Sequence, residues 1–309
     1  MFSFRTSLSS SFAALTLGWL VSAGCPARGD LAPEPLEVVA RLDLGEADTE
    51  LKLVKDPHLF LLEIQVNGEG PFLFSVDTGL SARVCVSERL RRELKLPRRR
   101  GMLADDGGGR IGYNAGSEVD SISIGDIDWM ELPVLVADLD WLQTDSGRPI
   151  DGIVGMRFFG EGLIQFDGKA DLIRLFSGSL PRLAHPQVAR YRLRRGVPYC
   201  WMKVGPHNFP ALIDTGFDGG IALPDGFRDK VLCYDEPRFT ATLRTTHSQN
   251  RKIYSARLKQ DAKLAGFKMH HPPVQFLQDY ETGIIGAQAL RQFVVTLDRA
   301  QQRIHFALP

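Results

Sequence analysis

The chain has 309 residues, long for one compact core and enough for two lobes of ordinary domain size. A hydrophobic content of 44% is that of a globular protein and argues against extended disorder. Its 37 basic and 37 acidic side chains cancel, so no long-range field draws in nucleic acid or an anionic membrane surface, and neither is expected as a partner.

Residues 1–25 read as an export leader. Met1 to Ser11 carries Arg5 and many serines, Phe12 to Val21 is mostly apolar, and the small residues Ser22, Ala23 and Gly24 follow. The apolar run is roughly half of the about 20 residues a membrane helix needs. A core helix is disfavoured because Cys25, Pro26 and Gly29 would stop it at once. The expected location is therefore outside the cytoplasm: periplasmic, extracellular or anchored to a membrane. Cys25 directly follows Ala23-Gly24 and resembles the lipid-attachment site of bacterial lipoproteins, although Ser22 stands where an apolar residue is usual. Lipidation at Cys25 and simple cleavage both stay open, and membrane contact is expected only through such a lipid. Export permits disulfides. A Cys200–Cys233 pairing is one reading of the remaining thiols and buried free cysteines are the other. No CxxC spacing supports metal or redox chemistry.

The mature sequence then repeats itself. Leu59 to Val66 (LFLLEIQV) reads as a strand, NGEGP as a turn, and Phe72 to Val76 (FLFSV) as a second strand running into Asp77-Thr78-Gly79. A short β-rich stretch, ARVCV, follows, and Ser87 opens a short helix over SERLRREL. From Tyr199 the order recurs. YCWMKV is a strand, GPHN a turn, and FPALI a strand ending in Asp214-Thr215-Gly216; GGIAL and a second helical candidate, PDGFRDKVL, come next. Downstream, DGIVG ends at Gly155 and TGIIG at Gly286. Apolar strands then close on Asp167 and Asp298, each 12 residues further (167 − 155 = 12; 298 − 286 = 12). LIRLF and RIHF finish the two copies. Duplication is the economical account. It places a first lobe at roughly 36–180 and a second at roughly 188–309, with Pro181 to Pro186 between them. Short β-branched elements with glycine-rich turns make the expected class all-β with a few short helices.

An aspartate ending a buried strand before Thr-Gly sits in a tight turn whose threonine hydroxyl can bond backbone across to a pseudo-symmetric partner. Two such loops would bring the carboxylates of Asp77 and Asp214 close enough to share one proton. One then serves as base towards a water while the other, protonated, donates to a carbonyl oxygen.

The segments FLFSVDTGLS and FPALIDTGFDGGIALP resemble the active-site segments of the retropepsin-like and pepsin-like aspartic proteases, and DGIVG and TGIIG resemble the apolar-apolar-Gly segment those families thread behind the catalytic loop. The resemblance implies a bilobal all-β aspartic protease fold. It also implies an endopeptidase with Asp77 and Asp214 as catalytic dyad, and loops shaped and braced by Thr78, Gly79, Thr215 and Gly216. No cofactor or metal is implied, the substrate is a peptide or protein between the lobes, and a monomer is complete because both halves lie in one chain. The sequence departs from the families at Leu80 and Phe217, where many members carry a small or hydroxylated residue. The rival function is a catalytically silent exported protein that holds a peptide or an envelope component on the same fold.

The families gate access with a β-hairpin flap. Asp105 to Val119, with Tyr113 as a candidate flap tyrosine or a solvent-facing hairpin residue, is the first-lobe counterpart, and Arg244 to Leu258 that of the second. Gly107 to Gly112 lacks the Lys-Ser/Thr of a phosphate loop. The Arg89 to Arg100 cluster, interleaved with Glu88 and Glu93, reads as a solvated face. His270 and His271 read as surface loop residues rather than metal ligands.

Overall fold

A computed structural model describes residues 33–36, 42, 44–105, 111–125, 127–181, 185–243 and 251–309. The leader with Cys25 and both hairpin tips (106–110 and 244–250) lie outside them. Almost every described element is a strand, arranged as two lobes and a sheet shared between them, which is the expected all-β, bilobal architecture.

The first lobe is a seven-stranded sheet, Leu61–Val66, Glu69–Asp77, Gly152–Gly155, Val84–Ser87, Ile127–Ala137, Ile111–Ile124 and Arg99–Asp105 in spatial order. Its central strands are apolar on both faces, as in Val84–Ser87 and Gly152–Gly155, because both faces are covered. The second lobe repeats this core as Val197–Val204, His207–Asp214, Gly283–Gly286, Ile221–Pro224 and Pro273–Leu277 within an 11-stranded sheet. The repeat extends to register. Glu69–Asp77 pairs in parallel with Gly152–Gly155 so that Asp77 stands opposite Gly155, and His207–Asp214 pairs in parallel with Gly283–Gly286 so that Asp214 stands opposite Gly286.

The third, six-stranded sheet takes strands from both halves: Val188–Arg190, Arg303–Ala307, Val294–Asp298, Leu163–Asp167, Leu172–Phe176 and Thr49–Lys52. Its centre pairs the duplicated strands with each other, antiparallel, from Leu163↔Asp298 through Gln165↔Thr296 to Asp167↔Val294. Gln165 and Thr296 occupy equivalent places in the two repeats, so the local twofold passes between them, and the Gln165 amide donates to Thr296 Oγ1 at 3.1 Å. The N-terminal strand Glu34–Pro35 does not join the first lobe: it pairs with Phe267–Met269 at the edge of the second-lobe sheet.

The helix expected after Ser87 spans Glu88–Glu93, and Ser87 Oγ caps it by accepting from Leu90 N at 3.0 Å. Its second-lobe counterpart is only a 3-10 turn, Asp225–Phe227. Gly226 weakens a helix at its first turn, and Pro224 enters in an extended conformation. The Cys200–Cys233 pairing is absent. Cys85, Cys200 and Cys233 are free thiols, and burial pushes Cys85 and Cys200 up to about 12, so both stay protonated.

Candidate active site

Asp77 and Asp214 each end a strand that runs through the middle of its lobe, and both triplets meet at the lobe junction. The bracing is reciprocal. Thr78 Oγ1 donates to Ile213 O and accepts from Thr215 N at 3.1 Å; Thr215 Oγ1 donates to Val76 O at 2.7 Å and accepts from Thr78 N at 3.0 Å. Both threonines are fully buried, so each hydroxyl satisfies two backbone groups of the opposite lobe that have no access to water.

The glycines provide the close approach. A methyl group on Gly79 would stand 2.9 Å from Cγ of Asp214, and one on Gly216 would stand 2.3 Å from Cγ of Asp77. Each loop therefore makes room, at its glycine, for the carboxyl of the other lobe, and the two carboxyls hydrogen-bond to each other. The inner oxygens are held from below: Gly79 N donates to Asp77 Oδ1 at 2.7 Å, and Gly216 N and Phe217 N donate to Asp214 Oδ1 at 3.0 and 3.2 Å. Both side chains keep an opening to solvent.

Burial raises both carboxyls above the usual aspartate range; at Asp214 the negative charge of Asp77 and the hydrogen bond between them add to that rise. Two carboxyls this close cannot both ionise cheaply, so the pair keeps one proton and titrates as a unit.

Behind the loops, Gly155 N donates to Arg83 O at 2.9 Å and Gly286 N to Gly220 O at 2.8 Å, equivalent positions six residues beyond each aspartate (83 − 77 = 6; 220 − 214 = 6). Leu80 and Phe217 are buried beneath the loops. Leu80 packs with Cys85, Leu135 and Ile153, and Phe217 with Leu212, Ile253, Tyr280 and Ile284.

Tyr113 stands on the first-lobe hairpin, opposite Leu103, and lies over Gly101, where a Cβ would meet its ring at 2.9 Å; it is 68% exposed. This is the solvent-facing alternative for that residue. The second-lobe hairpin is formed by Arg238–Leu243 and Arg251–Arg257. Glu88 takes up Arg91 and Arg98, in keeping with a solvated basic face. His270 is not a free loop residue: Nδ1 meets Asp261 at 3.1 Å and Nε2 meets Glu34 at 2.8 Å, acidic partners that sequence spacing hid. Among the described residues no group of three or more side chains has metal-binding geometry.

Sequence reasoning passed over Asp218, two residues beyond Gly216. Burial raises its carboxyl, opposed by the nearby His58 of the first lobe. Asp56 fixes the His58 segment by accepting from His58 N and Leu59 N, each at 2.9 Å.

Residues 62–158 match the family model described as aspartyl protease. Among solved structures the chain is similar to the crystal structure of Basic 7S globulin from soybean, at 12% identity and a TM-score of 0.49, over 84% of this chain and 94% of that one. None of the curated proteins matches. The matched stretch includes Asp77, its loop and Gly155.

Proposed function

We propose that the protein is an aspartic endopeptidase whose dyad is Asp77 and Asp214. The observation that carries this reading is the mutual seat of the two loops: each glycine accommodates the other lobe's carboxyl and each threonine bonds the other lobe's backbone. A silent scaffold has no need to hold two desolvated carboxyls in contact.

In the reaction, the ionised member of the pair takes a proton from a water whose oxygen attacks the peptide carbonyl carbon. The protonated member donates its proton to the carbonyl oxygen, giving a tetrahedral diol. The protonated member then donates to the amide nitrogen while the ionised one takes a proton from a diol hydroxyl; the carbonyl re-forms, the C–N bond breaks, and the singly protonated pair is restored. The peptide lies between the lobes, Thr78, Gly79, Thr215 and Gly216 keep the carboxyls in register, and one chain suffices as a monomer. Export, by release or with a lipid on Cys25, belongs to the same proposal, as does the division into lobes at 36–180 and 188–309.

The test is incubation of the purified protein with a mixed peptide library from acid to neutral pH. Asp77→Asn and Asp214→Asn should each abolish cleavage, by at least about 1,000-fold for loss of half of such a unit, while the circular dichroism spectrum stays unchanged. Cleavage that survives either substitution rejects the dyad. Bound but uncut peptides at every pH would instead favour the silent-binding alternative.

A further inference from the structure

The outer face of the second lobe carries an arrangement that the peptidase reading leaves unused. Lys203, Lys263 and Lys268 stand directly opposite one another on three adjacent antiparallel strands, Val197–Val204, Ala262–Leu264 and Phe267–Met269. Like charges in that position repel and destabilise a sheet. Glu34 ends the row opposite Lys268, but its carboxylate is engaged by His270, as is that of Asp261. Lys203 and Lys263 join Lys259 and His271 around a hollow of about 370 Å³. Among the described residues none of these lysines has a carboxylate partner within ion-pair distance.

Exposed apolar side chains stand beside the residues that line this hollow. Trp201 is 64% exposed and lies two residues from Lys203 on the same face of its strand. Leu232, 62% exposed, is bonded through its backbone to Lys259 N and to the Gln260 side chain. Tyr234, 48% exposed, carries the Lys259 ammonium 5.6 Å from its ring centre. Tryptophan and tyrosine with one wet end, beside lysines that extend their stems over apolar surface, suit the boundary between water and lipid headgroups.

We propose that this face docks onto an anionic bilayer surface, with the phosphate headgroups seated among Lys203, Lys259, Lys263 and Lys268 and with Trp201 and Leu232 entering the interfacial layer. The neutral total charge removes a long-range field but not a local cluster, and a polybasic patch acts within a Debye length. Glu34 is at the end of the lysine row, and the eight chain steps from Cys25 to Pro33 (33 − 25 = 8) reach at most about 28 Å.

The experiment uses the full chain with Cys25→Ser, so that no acyl group contributes, and co-sedimentation with vesicles of phosphatidylglycerol and phosphatidylcholine or of phosphatidylcholine alone. Binding should require the anionic lipid and weaken with salt. Lys203→Gln/Lys259→Gln/Lys263→Gln should weaken it by about tenfold or more, whereas Arg98→Gln/Arg99→Gln on the first lobe leaves it unchanged. All these side chains are exposed, and every variant shares one leader, so the difference reports the patch. Trp201→Ala should lower binding in a way that salt does not rescue. The proposal is overturned if the triple variant binds like its parent, or if neutral vesicles bind as well. Lysine-dependent retention on a sulfated polysaccharide with no vesicle binding would overturn it in favour of an anionic glycan.

Discussion

At Gly216 the margin for a side chain is smaller than at Gly79, 2.3 Å against 2.9 Å to the opposing carboxyl carbon. Gly216→Ala should therefore depress peptide turnover more than Gly79→Ala, and equal losses would show that the loops relax independently of the pair. Thr215→Val keeps the shape but removes the acceptor for Thr78 N and the donor to Val76 O. With two buried backbone groups left unpaired, it should cost about 3 kcal/mol in denaturant unfolding. The dyad also sets a pH signature. A carboxyl held above its unfolded value binds a proton in the folded state that the unfolded chain has lost, so stability falls as pH rises from the ordinary aspartate range through the raised one. Asn does not titrate. The melting temperature of Asp214→Asn, relative to the parent, should climb with pH across that window; a constant difference would contradict the raised titration. Both triplets could be read in the sequence because their chemistry is local. Asp218 beside His58 could not, since 160 residues separate them (218 − 58 = 160) and only the lobe junction brings them together.

Among the elements, the DGIVG strand does more than pass behind the loop. Asp151, buried, accepts from Leu73 N at 2.8 Å and meets Arg89 at 2.8 Å, which ties the strand carrying Asp77 to the Glu88–Glu93 helix. Asp151→Ala should destabilise the protein by about 2 kcal/mol in denaturant unfolding, since a strand N–H loses a charged acceptor; a neutral effect would mean water replaces it. Strand positions were legible wherever apolar runs met turn residues, as at LIQFD and VVTLD. Their pairing was not, because register depends on a partner strand that periodicity does not name. PDGFRDKVL misled for a different reason: its charged residues suit a helix, but Gly226 and the extended entry at Pro224 confine it to a single turn.

For the molecule as a whole, the six-stranded sheet makes the lobes interdependent. Arg291, on the second-lobe side, adds to this by donating to Leu59 O at 2.6 Å and Gly168 O at 2.9 Å in the first. Calorimetric unfolding should accordingly show one transition with matching calorimetric and van't Hoff enthalpies, whereas two resolved peaks would mean that the shared sheet does not couple the halves. The duplication itself was visible in the sequence, since element order is a one-dimensional property. The lysine row was not, as residues 203, 263 and 268 line up only once three strands pair. The crossed threonine bonds carry a last implication, for synthesis. When a ribosome has released only the first half, Thr78 has no Thr215 to grip and Asp77 no counterpart with which to divide a proton. N-terminal portions fold first, so in a growing polypeptide the carboxyl pair cannot assemble within the chain until the final third has emerged and found its place.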